Sequence, residues 1–145
     1  MDMHNILVLM VCLFESQAES FITILIGCRI GQVRVIFSLH GDDAIRLFGD
    51  AANAIPKHLA YIEWFRLTHK APRPYHKLYR VKRRIQNGDR LASIVPVSNI
   101  RRSVHLFPVF GPIVPAEWTS DNVLEKCDTF YINCFSDRYA YHTIL

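Results

Sequence analysis

Apolar and polar residues alternate along several short stretches of the chain, and this alternation predicts β-strands. In Cys28–Leu39 every second residue from Val33 onward is apolar, which is the period of a half-buried strand. His58–Leu67 is dense in aromatic and β-branched residues on both faces, which predicts a central strand. Further strands are predicted at Asn99–Phe107, Thr129–Phe135 and Tyr139–Ile144.

Turn-forming residues separate these stretches. Asn87-Gly88 predicts a tight hairpin joining two strands, Lys77–Ile85 and Arg90–Val95, because both turn residues tolerate positive φ. Short helical turns are predicted at Asp42–Phe48, with Asp42 as the cap and Gly49 as the stop, and at Ser120–Lys126. Loops are predicted at Asp50–Pro56 and Lys70–Pro74. The pattern therefore predicts a mainly all-β fold, a small antiparallel barrel or sandwich with one or two short helices.

Residues 1–26 stand apart from this pattern. Ile6–Phe14 is an apolar run that is too short to span a bilayer, which takes roughly 20 residues, but long enough for a signal-peptide core. Ser16-Gln17-Ala18 offers a cleavage site, whereas no Lys or Arg precedes the run. Three interpretations stay open: a signal peptide within Met1–Ala18, a buried helix or strand, or a segment that does not belong to the fold. Residues 27–145 are predicted to form a single β-rich domain.

The charge of the chain is unevenly placed. A formal net charge of +4 hides a central region, Arg66 to Arg102, with eleven Lys or Arg and a single acid, Asp89. We hypothesise that the hairpin ribbon presents these cations outward, where they would bind a phosphate backbone. The predicted nucleic-acid-binding residues are Lys70, Arg73, Lys77, Tyr79, Arg80, Lys82, Arg83, Arg84, Arg90, Arg101 and Arg102. The alternative is a solvated edge strand whose charges prevent aggregation.

Aromatic residues in the central strand suggest a second candidate site. Tyr61, Trp64 and Phe65 could line a pocket, for example a cage that holds a methylated lysine by cation–π attraction. The alternative is that they are ordinary core residues. Glu63, in the same strand, needs a cationic partner if it is buried, and Arg34 or Arg80 could serve.

Catalytic, metal and cofactor motifs are missing from the sequence. The cysteines form no CxxC pair and are too few for a disulfide scaffold, so they are predicted to be free thiols in a reducing compartment. They are Cys12, Cys28, Cys127 and Cys134. No zinc-ligand spacing, GxSxG, HExxH, phosphate-binding loop or dinucleotide fingerprint occurs. The sequence predicts a noncatalytic protein without a metal or cofactor.

Five segments, taken in order, resemble the C-terminal region of transposase-like proteins encoded by fungal DNA transposons of the Plavaka type. The segments are RIGQVRVIFSL, LAYIEWFR, LYRVKRR, IVPVSNIRRSVHLFPVFG and CDTFYINCFSDRYAYHTI. The similarity covers residues 27–145, while the apolar N-terminal stretch and Asp42–Pro56 have no counterpart. In that family this region follows the catalytic core, so the resemblance implies that the nuclease carboxylates and any zinc-binding head are absent from this chain.

A second resemblance concerns the fold. The order of aromatic and turn residues is similar to that of bromo-adjacent homology domains, β-rich chromatin modules in which the strand corresponding to Tyr61–Phe65 packs beside that of Val95–Ile100. We therefore expect a nuclear module that contacts nucleic acid or chromatin and has no membrane span. One alternative is an interaction appendage that docks on a transposase core through Phe107–Val114. The other is a small secreted protein.

Overall fold

The computed structural model describes residues 8–12, 28–69 and 73–133. Within these residues antiparallel strands dominate, which confirms the all-β prediction. The strands are β1 (Val8–Cys12), β2 (Cys28–Ser38), β3 (His58–Leu67), β4 (Arg80–Arg83), β5 (Ile85–Gln86), β6 (Asp89–Arg90), β7 (Ala92–Pro96), β8 (Ile100–Ser103), β9 (His105–Pro108) and β10 (Thr129–Asn133). The helices are α1 (Gly41–Phe48) and α2 (Val123–Lys126), and 3-10 turns cover Gly49–Ala54 and Val97–Asn99.

Strand β3 is central, as its sequence predicts. It pairs with β2 along one edge and with both β7 and β4 along the other edge. Strands β1 and β8 extend the sheet beyond β2, and β10 and β9 extend it beyond β4. Because only Val104 separates β8 from β9, one bent segment joins the two ends of this path. The result is a curled antiparallel sheet.

Part of the N-terminal segment lies in this sheet. Val8–Cys12 pairs with Cys28–Gln32 of β2, and its central residues also pair with β8. The rest of residues 1–26, including Ser16-Gln17-Ala18, lies outside the described residues. So do Lys70 and the predicted strand Tyr139–Ile144.

The two faces of β3 pack against different hydrophobic clusters. Trp64 and Ile62 are buried with Val95, whereas Phe65 is buried with Phe130 in a second cluster. Consecutive side chains of a strand point to opposite faces, so the two clusters lie on opposite sides of the sheet. This explains why β3 is apolar on both faces.

The predicted Asn-Gly turn is present, but the long ribbon predicted around it is wrong. Asn87 and Gly88 have φ of 54° and 89°, and the arms are only β5 and β6. Strands β4 and β7 both pair with β3 instead of with each other. The Leu91 N–H donates to the Arg84 carbonyl at 2.8 Å and closes the base of the short hairpin between them. Pairing along β3 is preferred because an isolated two-stranded hairpin is at best marginally stable in water.

Several local boundaries differ from the sequence predictions. Helix α1 begins at Gly41 with His40 at its cap, so Asp42 lies in the first turn, where its charge still favours the helix N-terminus. Gly49 ends the helix with φ of 56°, as predicted. The stretch Asn99–Phe107 is divided at Val104 into β8 and β9. Its predicted alternation holds, since Leu106 is half-buried while the neighbouring His105 is exposed.

Gly31 is required by close packing between β2 and β3. A Cβ at this position would lie 2.2 Å from Ile62 Cγ2 and 3.3 Å from the Glu63 carbonyl oxygen. Ile62 is fully buried and branched, so it cannot yield. We expect Gly31→Ala to lower the free energy of unfolding by about 2 kcal/mol, measured by urea titration. Gly41→Ala is the control, because a Cβ there meets nothing within 4 Å; equal small losses in both variants would contradict the packing argument.

Candidate nucleic-acid interface

Two groups of cationic side chains stand out in the described structure. The first group belongs to an ion-pair network, which we define as Arg34, Arg83, Arg90, Glu63 and Glu125. Glu63 accepts contacts from Arg90 at 3.1 Å, Arg83 at 3.4 Å and Arg34 at 3.7 Å. Glu125 contacts Arg34 and Arg90. Of the two partners predicted for Glu63, Arg34 is confirmed and Arg80 makes no ion pair with it. Arg83 and Arg90 are its other partners.

Arg83 is a core residue. Its side chain is 4% exposed, donates hydrogen bonds to Gln32 Oε1 and to the Leu124 carbonyl, and lies 4.4 Å over the ring of Phe65. Burial, together with the nearby Arg90 charge, lowers the pKa of Arg83 to about 10, against the opposite influence of Glu63 and Glu125. Arg83 therefore links β4 to β2 and α2.

The more exposed members of the network, Arg90 and Glu125, are also paired. Burial lowers the pKa of Arg90, but hydrogen bonds and charge from Glu125 and Glu63 outweigh it, so that the pKa is raised overall. Burial raises the pKa of Glu125, but hydrogen bonds and charge from Arg90 and Arg34 outweigh it, so that the pKa is lowered overall. Arg83 and Arg90 are thus matched to carboxylates, which corrects their predicted placement on an outward cationic ribbon.

The second group of cations lies on one face of the sheet. Arg66 of β3 is opposite Lys82 of β4, and Lys82 is opposite Thr129 of β10. Arg80 lies two residues from Lys82 on the same face, because the intervening Val81 points into the core. Among the described residues, every ion pair belongs to the network, and none involves Arg66, Arg80 or Lys82.

Aromatic side chains continue this face toward β9. Tyr131 of β10 is opposite both Arg80 and Phe107. Phe107 is 46% exposed. The ring of His76 lies 4.6 Å from that of Tyr131, at an angle of 70°, and its Nδ1 accepts a hydrogen bond from the Leu78 N–H. We call the set Arg66, Arg80, Lys82, Tyr131 and Phe107 the outer face.

The remaining predicted nucleic-acid residues lie outside the strand pairs that define the outer face. Tyr79 is buried in the cluster around Phe65, so its ring is not available for stacking. Lys77, Arg84 and Arg101 are exposed, and Arg73 is half-buried. The backbone of Arg102 is in β8, while its side chain and all of Lys70 lie outside the described part of the chain. The predicted set therefore contributes two residues to the outer face, Arg80 and Lys82.

Sequence reasoning missed the other three residues of the outer face. Arg66 belongs to the basic region but is not among the predicted binding residues, Tyr131 is not predicted as a contact, and Phe107 is predicted only as part of the docking stretch Phe107–Val114. The alternation of their strands was visible in the sequence. The pairing of β10 with β4 and β9, which brings them together, was not.

The proposed aromatic pocket is not assembled. Trp64 and Phe65 point to opposite faces of β3 and are each buried in a different cluster, whereas Tyr61 is partly exposed. The Trp64 Nε1–H donates to Ser93 Oγ at 2.6 Å. The three rings therefore do not line one cavity.

The described residues hold no group of three or more His, Cys, Asp or Glu side chains placed to bind a metal ion. Cys127 is a free, buried thiol whose Sγ lies 3.0 Å from the Thr129 carbonyl. Burial raises the pKa of this thiol, which favours the protonated form. Across the described ranges, none of the helices has the length and apolar character needed to cross a membrane.

Comparison with known proteins gives no match to a protein-family model, a curated protein or a solved structure. The functional interpretation is therefore based on the cationic and aromatic side chains of the outer face.

Proposed function

We propose that the chain is a noncatalytic module that binds nucleic acid through its outer face. The observation that carries this proposal is the placement of Arg66, Arg80 and Lys82, which lie on one face of neighbouring strands, next to aromatic rings and without an ion pair to any described residue. Cations in this arrangement attract phosphates, and each phosphate contact releases condensed counterions.

The register of the strands adds a physical reason for an anionic ligand. Arg66 and Lys82 are directly opposite on β3 and β4, and like charges in that position destabilise a sheet. A phosphate bound between them would offset this repulsion. An anion bound there would therefore stabilise this pair of cations.

The resemblance to the C-terminal region of Plavaka-type transposon-encoded proteins supports nucleic acid over other polyanions. On this proposal the chain would act on or near DNA in the nucleus, without a cofactor. The same resemblance leaves any catalytic step to another part of such a protein.

The test is a salt titration of affinity for a fluorescently labelled oligonucleotide. We expect the double variant Arg66→Gln/Lys82→Gln to bind at least tenfold more weakly at low salt. The slope of log affinity against log salt should fall by about one for each lost phosphate contact.

The matched control is Arg46→Gln/Lys57→Gln, which removes the same two charges from exposed positions off the outer face. Affinity that does not depend on salt, or equal losses in the two double variants, would contradict the proposal. Thermal unfolding of both variants checks that the fold is retained.

Exposed apolar residues after β9 favour a second candidate, the interaction appendage. Phe110, Ile113 and Val114 are exposed, and they lie in the stretch Phe107–Val114 for which docking is predicted. Self-association of the chain, together with unchanged oligonucleotide affinity in Arg66→Gln/Lys82→Gln, would support this candidate over nucleic-acid binding by the outer face.

A further inference from the structure

We infer that the ligand of the outer face is single-stranded nucleic acid, with bases stacking on Phe107 and Tyr131. The inference rests on the proposed function and specifies its ligand. It depends on the aromatic half of the outer face, which a purely electrostatic interface would not need.

The two rings are positioned to receive neighbouring bases. Phe107 and Tyr131 are directly opposite on β9 and β10, so their Cβ atoms are about 5 Å apart on the same face. Phe107 leaves nearly half of its surface in water, although it lies within a strand. Tyr131 is half-buried, and the ring of His76 contacts its ring in an edge-type arrangement. Each base offers a π-face, so stacking on such rings tolerates any sequence.

The cations are placed where the backbone of such a strand would run. Arg66 and Lys82 occupy the β3–β4 side of the outer face, the rings occupy the β10–β9 side, and Arg80 lies beside Tyr131 between them. A single strand can follow the cations with its phosphates while its bases lie on the rings. Proteins that bind single strands combine a cationic track with stacking rings in this way.

A duplex fits this face less well. The outer face spans four strands, β3, β4, β10 and β9, whose three spacings add up to about 14 Å. The major groove is about 12 Å wide and admits a helix or a two-stranded ribbon. The sheet therefore cannot enter the groove. The rings of Phe107 and Tyr131 would face the sugar-phosphate backbone of a duplex, and its bases would not be free to stack on them because they are already stacked on each other.

The experiment compares a 12-nucleotide oligothymidine with a 12-base-pair duplex at one salt concentration. We expect the unmodified chain to prefer the single strand, and Phe107→Leu and Tyr131→Leu each to lower single-strand affinity by roughly tenfold or more. Leucine keeps the apolar character and removes the ring. Duplex affinity should stay unchanged.

Phe110→Leu is the matched control, since Phe110 is as exposed as Phe107 but lies beyond the end of β9. The inference is overturned if Phe107→Leu and Tyr131→Leu, both shown to be folded, bind the single strand as tightly as Phe110→Leu. The proposed function would survive that outcome, provided that Arg66→Gln/Lys82→Gln still weakens binding. If neither oligonucleotide binds in a salt-dependent manner, both the inference and the proposed function fail.

Discussion

Replacing Arg83 with methionine is expected to lower the free energy of unfolding by about 3 kcal/mol. Methionine fills most of the volume but donates no hydrogen bond. The buried Gln32 oxygen and the Leu124 carbonyl would both lose their donor, and Glu63 would lose one of three cations. Urea titration followed by circular dichroism measures the change.

Arg84→Met is the matched control for this experiment. Arg84 is the next residue along the chain, but it is exposed and makes no ion pair with any other described residue. We expect its substitution to change stability by no more than about 0.5 kcal/mol. Equal effects in the two variants would show that Arg83 does not link β4 to the rest of the fold.

Arg83→Lys should also be strongly destabilising. The guanidinium reaches Gln32, the Leu124 carbonyl and Glu63 with separate N–H groups, and a lysine ammonium on a flexible stem cannot reproduce that geometry. A binding test that replaces Lys82, Arg83 and Arg84 together would therefore confuse unfolding with the loss of a contact. Arg66 and Lys82 are the pair that tests binding alone.

The sequence contained enough information to separate Arg83 from Lys82. In the predicted strand Lys77–Ile85, alternation places Tyr79, Val81 and Arg83 on one face and the intervening cations on the other. The apolar character of Tyr79 and Val81 indicates that Arg83 points inward. The total charge of the run does not reveal this difference, whereas the charge of each face does.

Local signals account for the features that were predicted well. The composition of β3, the Asn87-Gly88 turn and the stop at Gly49 each depend on a few adjacent residues, and all three are present in the structure. Strand β2 is also present, but its predicted alternation is wrong: Gln32 is buried, Val35 is exposed, and the register shifts between Val33 and Val35.

Features that depend on strand partners could not be obtained in the same way. The Asn-Gly turn predicts where the chain reverses direction. It does not predict that β4 and β7 both pair with β3 instead of with each other. Glu125 reaches the network from a segment 62 residues beyond Glu63. The outer face likewise depends on the register across β3, β4, β10 and β9, which a single sequence does not specify.

Trp64→Ala is expected to lower the free energy of unfolding by about 4 kcal/mol. The side chain is 2% exposed, packs with Ile62 and Val95, and has the Arg29 guanidinium 5.7 Å over its ring. Alanine would leave a large cavity in one of the two clusters that β3 separates. Circular dichroism is the suitable probe, because the substitution removes a tryptophan.

Tyr61→Ala distinguishes a core role from the aromatic cage that the sequence allowed. Tyr61 is 38% exposed, so its truncation should cost about 1 kcal/mol, much less than that of Trp64. An aromatic cage predicts a different result. Tyr61→Ala and Trp64→Ala would then both abolish binding of a methylated lysine peptide and leave the free energy of unfolding largely unchanged.

The hydrogen bond from Trp64 to Ser93 makes the core interpretation testable at the level of one atom. Ser93→Ala removes the acceptor of the Nε1–H and should cost about 1 to 2 kcal/mol, because the buried indole donor is left without a partner. In a Trp64→Phe background that donor is absent, so Ser93→Ala should then be nearly neutral. A coupling close to zero in this double-mutant cycle would mean that the bond does not fix Trp64 against β7.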